Sequence, residues 1–416
     1  MGRPKGSKNK PKVELVKHNN HNYGIKISLE KQIENTPTIR NSMRGWINWG
    51  VRNDYPQRLS DLYYSSPTLK ACVEFSATAV LGGGVDYEAM KIDGTQNQPN
   101  YQTTWDEFIY NLALDYSLYG TYAFQVIKNR DGKSYSFYHQ SVADIRSGEA
   151  DEDGVVTDYW ISKDWTALAK YPPVNIKRFG FQDDEKIAMG EAYLFVFEKY
   201  CPDLIYYPAP RWIAALKPAQ TEAELINFDL KSTLNSFVAN GILTLNHVDS
   251  DEERNVIIDN ISAMFQGSDN ANSLIINFRN NDDEEPAVFT PLNKDVNNVD
   301  LFSENNNRTI DRIVSSFSIP SKMLIGITKE GASLGGDGNE MKVAYNIYNN
   351  LVGNKVRRDV VVTLNKALKL NGIDVEISLK PLVFGFDTDD TTDNTDISEN
   401  KSVNIEEKIT NEETYR

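Results

Sequence analysis

The chain has 416 residues, of which 40% are hydrophobic and 11% are aromatic. That length and composition suffice for about two or three domains with apolar cores, and they argue against an intrinsically disordered protein. The formal net charge of -15 argues against a surface that binds nucleic acid throughout, because neutralising phosphates requires an excess of lysine and arginine.

The two ends of the chain carry charge of opposite sign. Residues 1–17 contain six basic residues and one acidic residue, whereas residues 387–416 contain ten acidic and three basic residues. Both ends are polar and rich in charge. This pattern predicts a basic flexible arm over residues 1–40 and an acidic tail over residues 381–416.

The basic arm contains a candidate DNA contact. Its segment GRPKGSKNKPK resembles the core of an AT-hook, in which Arg-Pro flanked by basic residues lies in a minor groove. Arg3, Lys5, Lys8 and Lys10 are the candidate contact residues, and their binding would be mostly electrostatic. The alternative is an ordinary solvated basic tail.

Cysteine and hydropathy patterns bear on the compartment. Cys72 and Cys201 lie far apart in apolar surroundings, which favours two buried thiols over a disulfide. No apolar run reaches the roughly 18 residues of a membrane span, and no signal-peptide pattern is present near the N-terminus. We therefore expect neither secretion by a signal peptide nor a membrane span.

The N-terminal half mixes helical and strand patterns, which predicts the α+β fold class. Pro67 and the glycines at 82–84 mark the ends of the first helix, and Thr103 or Thr104 caps the second. The patterns predict helices at 67–81 and 103–118, a hairpin at 122–128 and 134–139 with its turn at 129–132, and strands near 155–161 and 192–197.

The C-terminal half is dominated by long helical patterns. They predict helices at 216–238, at 296–317 with a gap at the asparagines 305–307, and from about 338 to 370, with strands at 273–278, 287–290 and 375–379. The third helix pattern is nearly eight turns long, and Asn371-Gly372 marks its end.

A glycine-rich segment separates the last two helices. Pro320 breaks the first of them, and five glycines follow at 326, 331, 335, 336 and 338. Glycine has few backbone restrictions, so we interpret this segment as a mobile loop that lines something moving past it. The nearby cations Lys322 and Lys329 are either transient phosphate contacts or solvated lysines.

No catalytic motif is present, and we expect no enzymatic activity, cofactor or metal. The sequence lacks a phosphate-binding Walker loop, a G-x-S-x-G motif, an H-E-x-x-H motif and cysteines at zinc spacing. Acidic clusters at 249–253, 282–285 and 387–393 do not fit a calcium loop and are interpreted as solvated acidic loops. The aromatic-rich segments 46–64 and 193–212 indicate core packing and subunit contact.

The order of these elements resembles the portal proteins of tailed bacteriophages over roughly residues 45–380. In the N-terminal half the resemblance rests on SPTLKACVEFSATAVLGGGV, DYSLYGTYAFQVIKNRDGKSYSFYH and the VADIR that follows. In the C-terminal half it rests on YYPAPRW, the helix leading to FVANGI, and DRIVSSFSIPSKMLIG.

The resemblance implies a portal fold with an α+β wing, two stem helices, a small α/β clip, a tunnel loop and a long C-terminal wing helix. It assigns the wing to 41–213, stem helix 1 to 214–240, the clip to 241–295, stem helix 2 to 296–318, the tunnel loop to 319–338, and the long wing helix with a strand or crown to 339–380. The tunnel loop would hold Lys322, Lys329, Glu330, Gly331, Gly335, Gly336 and Gly338, and the clip would turn Asp282, Asp283, Glu284 and Glu285 toward partners.

The same resemblance implies a function and a set of partners. It predicts a homododecameric ring at one capsid vertex, with an axial channel for double-stranded DNA during packaging and ejection. The implied partners are the terminase large subunit, the major capsid protein and a head-completion or adaptor protein, with assembly in the host cytoplasm and a final place in the virion.

Three other interpretations stay open at the level of sequence. A DNA-binding protein of another class is suggested by the AT-hook-like arm. An enzyme would need a convergent polar site, which the sequence does not show. Another connector component of the virion would differ mainly in its position along the axis.

Overall fold

A computed structural model describes residues 13–18, 22–27, 39–41, 44–91, 93–94, 98–182, 187–202, 204–235, 241–246, 248, 250–265, 274–279, 287–291, 298–328 and 339–383. The strands are β1 Val13–His18, β2 Asn22–Ile27, β3 Ile39–Asn41, β4 Ile47–Trp49, β5 Ala123–Lys128, β6 Tyr135–His139, β7 Ile145–Ser147, β8 Asp158–Ile161, β9 Val174–Lys177, β10 Ala192–Val196, β11 Gly241–Leu245, β12 Leu274–Phe278 and β13 Val288–Pro291. The helices are α1 Tyr55–Ser65, α2 Pro67–Leu81, α3 Tyr87–Met90, α4 Trp105–Tyr119, α5 Leu216–Asn235, α6 Asp251–Phe265, α7 Asn298–Ser316, α8 Asn339–Tyr348 and α9 Asn354–Leu370. This mixture confirms the predicted α+β class.

Local signals fix the ends of α2 and α4 as the sequence predicted. Ser66, which directly precedes Pro67, caps the start of α2, because its hydroxyl accepts a hydrogen bond from the backbone N–H of Leu69. Gly82 ends α2 with a φ of 66°. Thr104 begins α4 with a capping box, in which its hydroxyl and the Glu107 carboxylate each accept a backbone N–H. Both helices lie side by side in the largest apolar core of the molecule.

The predicted hairpin is confirmed and belongs to a three-stranded sheet. β5 pairs antiparallel with β6 and with β10, in the order β10-β5-β6. Phe124 of β5 stacks on Phe195 of β10 with ring centroids 4.8 Å apart, and both face the main core. A second three-stranded sheet, β7-β8-β9, packs beside it.

A separate five-stranded sheet has the order β1-β2-β12-β11-β13. Its strands β11 and β12 are parallel, and α6 lies between them in the chain. α6 packs a small core of its own, with Ile258 and Phe278 buried and the Arg254 guanidinium 5.9 Å from the Phe278 ring centroid. Its strands β11, β12 and β13 and the helix α6 lie between α5 and α7 in the chain, whereas β1 and β2 come from the N-terminal arm.

Two expectations about these regions were wrong. The acidic cluster at 249–253 is not wholly a loop, because residues 251–253 form the first turn of α6, where carboxylates interact favourably with the helix dipole. Nor is the arm at 1–40 a flexible tail throughout. β1 pairs with β2, and β2 pairs with β12, with Gly24 opposite Ile275.

The long C-terminal helices also differ from the prediction in detail. α7 runs without a gap through Asn305–Asn307, because Asn306 and Asn307 are exposed and a helical asparagine costs only a few tenths of a kcal/mol. The single helix predicted from about 338 to 370 is interrupted by a π-helical turn at Asn349–Gly353.

The strand predicted at 375–379 does not form. Within that segment one β-bridge forms, between Leu379 and Val85. The backbone then follows the glycines after α2, with Gly83 N–H donating to Lys380 O and Lys380 N–H donating to Gly84 O, both at 2.8 Å. A side chain at Gly82 would collide with the carbonyl of Lys380, so the glycines admit this close approach.

Candidate functional site

The chain before the glycine-rich segment is held by a well-formed helix stop. α7 ends in a Schellman arrangement, in which Ser318 N–H donates to Ser315 O at 2.9 Å and Ile319 N–H donates to Val314 O at 3.3 Å. Ser318 adopts the left-handed conformation with φ 58°, and Val314 and Ile319 are both buried. Pro320 then prevents the helix from continuing, as the sequence predicted.

A short 3-10 turn at Lys322–Ile325 continues this anchor. The hydroxyl of Ser321 accepts the N–H of Met323, and Gly326 ends the turn at φ 79°. Leu324 and Ile325 pack against the main core. The backbone therefore stays attached to the body of the protein up to residue 326.

Lys322 forms an ion pair within the subunit. Its Nζ lies 2.6 Å from Asp311 Oδ1 on α7, and both side chains are partly exposed. An exposed pair of this kind stabilises a fold by only about 0–1 kcal/mol, so it does not lock the lysine in place. Its prediction as a DNA contact stays a prediction.

The remaining predicted site residues lie outside the described residues. They are Lys329, Glu330, Gly331, Gly335, Gly336 and Gly338 of the loop, Arg3, Lys5, Lys8 and Lys10 of the arm, and Asp282, Asp283, Glu284 and Glu285 of the acidic turn. Thr328 and Asn339 are the described residues on either side of the glycine-rich segment 329–338.

The helix after the loop returns to the core at several points. Tyr348 donates its hydroxyl to Ser76 Oγ of α2 at 3.0 Å and lies against Phe75 with ring centroids 4.9 Å apart. Further along, Tyr122 donates to Thr363 Oγ1 at 2.8 Å. The Arg357 guanidinium donates hydrogen bonds to backbone carbonyls in the last turn of α2. Its positive charge is favourable there, because the C-terminal end of a helix is partially negative.

α5 is tied to the same core by a buried carboxylate. Glu222 is only 4% exposed, and its oxygens accept the hydroxyls of Ser66 and Thr68 and the Thr68 N–H at 3.2 Å. These donors are at the N-terminus of α2, where a negative charge is stabilised. Burial, and the nearby charge of Glu222, raise the pKa of the Cys72 thiol well above its usual range.

α7 reaches the core close to the start of α5. Trp212 is fully buried just before α5, donates its indole N–H to Ser117 O at 3.0 Å, and stacks on Phe317 at the end of α7 with centroids 6.3 Å apart. α5 and α7 also contact each other. Two long helices therefore leave one core together, joined by the separate sheet unit.

Sequence reasoning missed Glu222 as an organising residue. Its position within a helical stripe of apolar residues was the one available signal, because a carboxylate on a buried face requires partners. Core packing is confirmed for part of the aromatic segments, since Trp49 stacks on Tyr207 with ring centroids 4.2 Å apart and both are buried. Subunit contact through these segments stays a prediction. Cys72 and Cys201 are free thiols, as expected; Cys72 is buried, whereas Cys201 is only partly buried, so the expectation of two buried thiols was wrong for Cys201.

The part of the chain that the structure describes holds no group of three or more histidine, cysteine, aspartate or glutamate side chains arranged for a metal ion. His139 lies 2.8 Å from Asp115, which also accepts the Val142 N–H at 3.4 Å; these contacts join α4 to the end of β6. None of the described helices combines the length and hydropathy of a membrane span.

Comparisons with known proteins gave structural matches alone. No protein-family model and no curated protein sequence matches the chain. Similar chains occur in the neck of a native gene transfer agent particle computed with C12 symmetry (15% identity, TM-score 0.49, covering 78% of this chain and 84% of that chain). Others occur in the virion of a native gene transfer agent particle (14%, 0.48, 77% and 83%) and in the neck of an empty particle computed with C6 symmetry (15%, 0.48, 77% and 84%).

Proposed function

We propose that this chain is the subunit of a portal, the ring through which a tailed-phage-like particle packages and releases double-stranded DNA. Subunits assemble as a homododecamer at one capsid vertex. The ring binds the terminase large subunit during packaging and a head-completion or adaptor protein afterwards, and it contacts the major capsid protein. The portal itself is not an enzyme, since the terminase supplies the work of translocation.

The observation that carries the proposal is that the long helices are all anchored in one apolar core. α5 is fixed by Glu222 and α7 by Phe317, while the chain between them forms a sheet unit with its own small core. After α7, a Schellman stop precedes the glycine-rich segment, and α8–α9 returns to the same core. In the proposed portal, this core is the wing, α5 and α7 are the two stem helices, and the glycine-rich segment is the tunnel loop.

Charge supports a conduit over a tight DNA binder. A wall rich in lysine would release counterions and hold the duplex, because each neutralised phosphate adds to affinity. The subunit instead carries a net charge of -15, and Lys322 beside the loop is paired with Asp311. A channel of this character lets DNA slide.

Electron microscopy of the purified protein tests the proposal. We expect class averages down the axis to show closed rings of dodecameric symmetry with a central hole wide enough for a DNA duplex. A protein that stays monomeric or dimeric at high concentration contradicts the portal assignment and favours DNA binding through the N-terminal arm.

A further inference from the structure

Helix α9 concentrates positive charge in an acidic protein. Residues 354–370 contain five basic residues and one acidic residue, whereas the whole chain has a net charge of -15. Four of the basic residues are exposed, with the exposed Val362 between them: Lys355, Arg358, Lys366 and Lys369. At 3.6 residues per turn, the four cations fall within about 80° of the helix circumference. They form one row, which we call the α9 stripe.

The opposite face of α9 is packed, so the stripe faces outward. Val356, Val360 and Leu364 are buried in the main core. The acidic residue within α9, Asp359, accepts a hydrogen bond from the Tyr116 hydroxyl at 3.2 Å. One carboxylate, shared with that hydroxyl on α4, does not balance four exposed cations.

Further cations lie beside the start of the stripe. Burial lowers the pKa of Lys199, and the nearby charges of Arg211 and Lys355 act in the same direction. Cys201 and Asp359 oppose this shift. The lowered pKa reflects like charges held close together, which a bound anion would relieve.

The other end of the stripe already meets a carboxylate from the segment that leads to the C-terminus. Lys369 Nζ lies 3.3 Å from Asp374 Oδ1, and both side chains are well exposed. An exposed pair of this kind is weak, so other anions can replace it. Lys366 Nζ lies 5.8 Å from the Phe181 ring centroid, a contact that leaves its charge unneutralised.

The described chain ends close to the start of α9. At the C-terminal end of α2, Gly83 N–H donates to Lys380 O at 2.8 Å. Arg357 Nε of α9 donates to Val80 O of the same helix end at 3.0 Å. Val383 follows Lys380 by three residues, which span at most about 11 Å. The acidic tail therefore begins beside the helix that carries the stripe.

The tail has the charge and the length to reach the stripe. Residues 387–399, which lie outside the described residues, contain six acidic residues and no basic residue; we call them the acidic tract. Because Arg357 marks the α2 side of α9, the tail has to pass around a helix about 10–12 Å across. Residues 384–399 span up to about 50 Å when extended, and the stripe is about 21 Å long.

We propose that the acidic tract docks along the α9 stripe of its own subunit and keeps other polyanions off it. Opposite charges select the surface, and attachment next to α9 gives the tract a high effective concentration there. The contact goes beyond the proposed portal function and does not depend on the ring.

The basic N-terminal arm is the other cationic surface that could take the tract. That arm continues into β1 and β2 of the separate five-stranded sheet, whereas Leu382, just before the tail, packs against the main core. Proximity along the described chain therefore favours α9.

A carbodiimide tests the contact in the full-length protein, because it joins a carboxylate to a lysine amine that touches it. Isotope-labelled and unlabelled chains are mixed before they assemble, crosslinked and analysed by mass spectrometry. We expect the acidic tract to be joined to Lys355 or Lys366 several-fold more often than to the exposed Lys133 and Lys163, and within chains of one label.

Three crosslinking results would contradict the proposal. Crosslinks spread evenly over exposed lysines show that the tract has no fixed surface. Crosslinks mainly to residues 1–17 assign it to the basic arm. Crosslinks between labelled and unlabelled chains show that it docks on another subunit.

Neutralising the tract should uncover the stripe. The variant carries six amide substitutions: Asp387→Asn, Asp389→Asn, Asp390→Asn, Asp393→Asn, Asp396→Asn and Glu399→Gln. We expect its affinity for a short DNA duplex to rise by about tenfold or more, with a log–log salt dependence steeper by about 3 to 4, since each of four cations adds about 0.9.

Two matched variants show where the gain arises. Four acids of the tail outside the tract are replaced in the first: Glu406→Gln, Glu407→Gln, Glu412→Gln and Glu413→Gln. It should change the affinity less than about twofold, because distant exposed charges are screened by salt. Adding Lys355→Glu and Lys366→Glu to the neutralised tract should abolish the gain, and a gain that persists there overturns the proposal.

The outcomes separate this contact from the proposed portal. Rings without crosslinks between the tract and the stripe overturn the contact and leave the portal proposal intact. Crosslinks in a protein that never forms rings support the contact and overturn the portal. Thermal unfolding of each variant shows whether a change in DNA affinity arises from misfolding.

Discussion

Ser318 occupies a position that helices usually reserve for glycine. Its φ of 58° is left-handed, and a side chain in that conformation costs about 1–2 kcal/mol. The Schellman bonds around it nevertheless hold the conformation, and they set the direction in which the chain approaches the loop.

Replacing Ser318 with glycine should therefore stabilise the fold. Relief of the strain exceeds the extra entropy that glycine gains in the unfolded chain, so we expect Ser318→Gly to raise the free energy of unfolding by about 0.5–1 kcal/mol. Ser315→Gly, at an exposed position inside α7, should lower it by about 0.5 kcal/mol. Chemical denaturation of both variants checks the prediction, and equal effects of the two would contradict it.

Glu222 should be among the most sensitive positions of α5. Glu222→Ala removes the acceptor for three donors of Ser66 and Thr68 in a buried place, so we expect a loss of about 3 kcal/mol in the free energy of unfolding. The exposed neighbour Thr221 is the control, and Thr221→Ala should change that free energy by no more than about 0.5 kcal/mol. Urea denaturation distinguishes the two, and a small effect of Glu222→Ala would show that α5 does not depend on this anchor.

Asp144 should make the free energy of unfolding depend on pH. Burial raises the pKa of Asp144 to about 6; Asp115 acts in the same direction, and the buried Arg146 opposes the shift. Arg146 is fully buried and donates to carbonyl oxygens of Asn53 and Ile145, each at 2.7 Å, and burial lowers its pKa to about 10.

Because the folded pKa of Asp144 is above its ordinary value, the folded state binds more protons between about pH 4 and pH 6. The free energy of unfolding should therefore fall as the pH rises through that window, and Asp144→Asn should remove part of the fall. Urea denaturation from pH 4 to pH 7 measures it. Asp131 is a contrast, since hydrogen bonds from Ser134 and Lys133 lower its pKa to about 2, so Asp131→Asn should instead reduce stability at pH 7.

At the scale of elements, the turn at Asn349–Gly353 links side-chain packing to helix shape. A side chain at Gly353 would collide with the amide oxygen of Asn349 and lie 3.6 Å from the Tyr348 ring. Glycine in a helix otherwise costs about 1 kcal/mol relative to alanine. The close approach of Asn349 therefore explains why a glycine occupies this position.

A double-mutant cycle tests this explanation. Gly353→Ala alone should change stability little or lower it, because the gain in helix propensity is offset by the collision. In an Asn349→Ala background the collision is absent, and the same substitution should raise the free energy of unfolding by about 1 kcal/mol. Additive effects in thermal and chemical unfolding would show that the two residues are independent.

Elements with local boundary signals could be predicted from sequence. The capping box of Thr104 and Glu107, the glycine after α2 and the Asn371-Gly372 stop each encode an end within a few residues. α6 was missed because carboxylates in a helical first turn resemble a polar loop. The Lys322–Asp311 pair could not be predicted, because it depends on how the chain folds back after Pro320.

At the scale of the whole molecule, the N-terminal arm has two parts with different predicted roles. Residues 1–12 hold the basic cluster, while β1 and β2 extend the five-stranded sheet. Deleting residues 1–12 should leave thermal unfolding unchanged and remove any salt-sensitive DNA affinity. Deleting residues 1–28 should also lower the melting temperature and promote aggregation, because it uncovers the edge of β12.

Thermal unfolding, light scattering and DNA binding at two salt concentrations separate these outcomes. If both deletions leave melting temperature and solubility unchanged, the arm does not contribute to the sheet, and the flexible tail predicted from sequence is the better description.

The pairing of β2 with β12 also imposes an order of events during synthesis. Residues 22–27 leave the ribosome early, and their partner at 274–278 follows only after most of the chain has been made. At about 5–20 residues per second, the hairpin waits roughly ten seconds to a minute for that strand. During this interval β1 and β2 have only each other as partners, and the nascent chain carries an open strand edge that no later segment has yet covered.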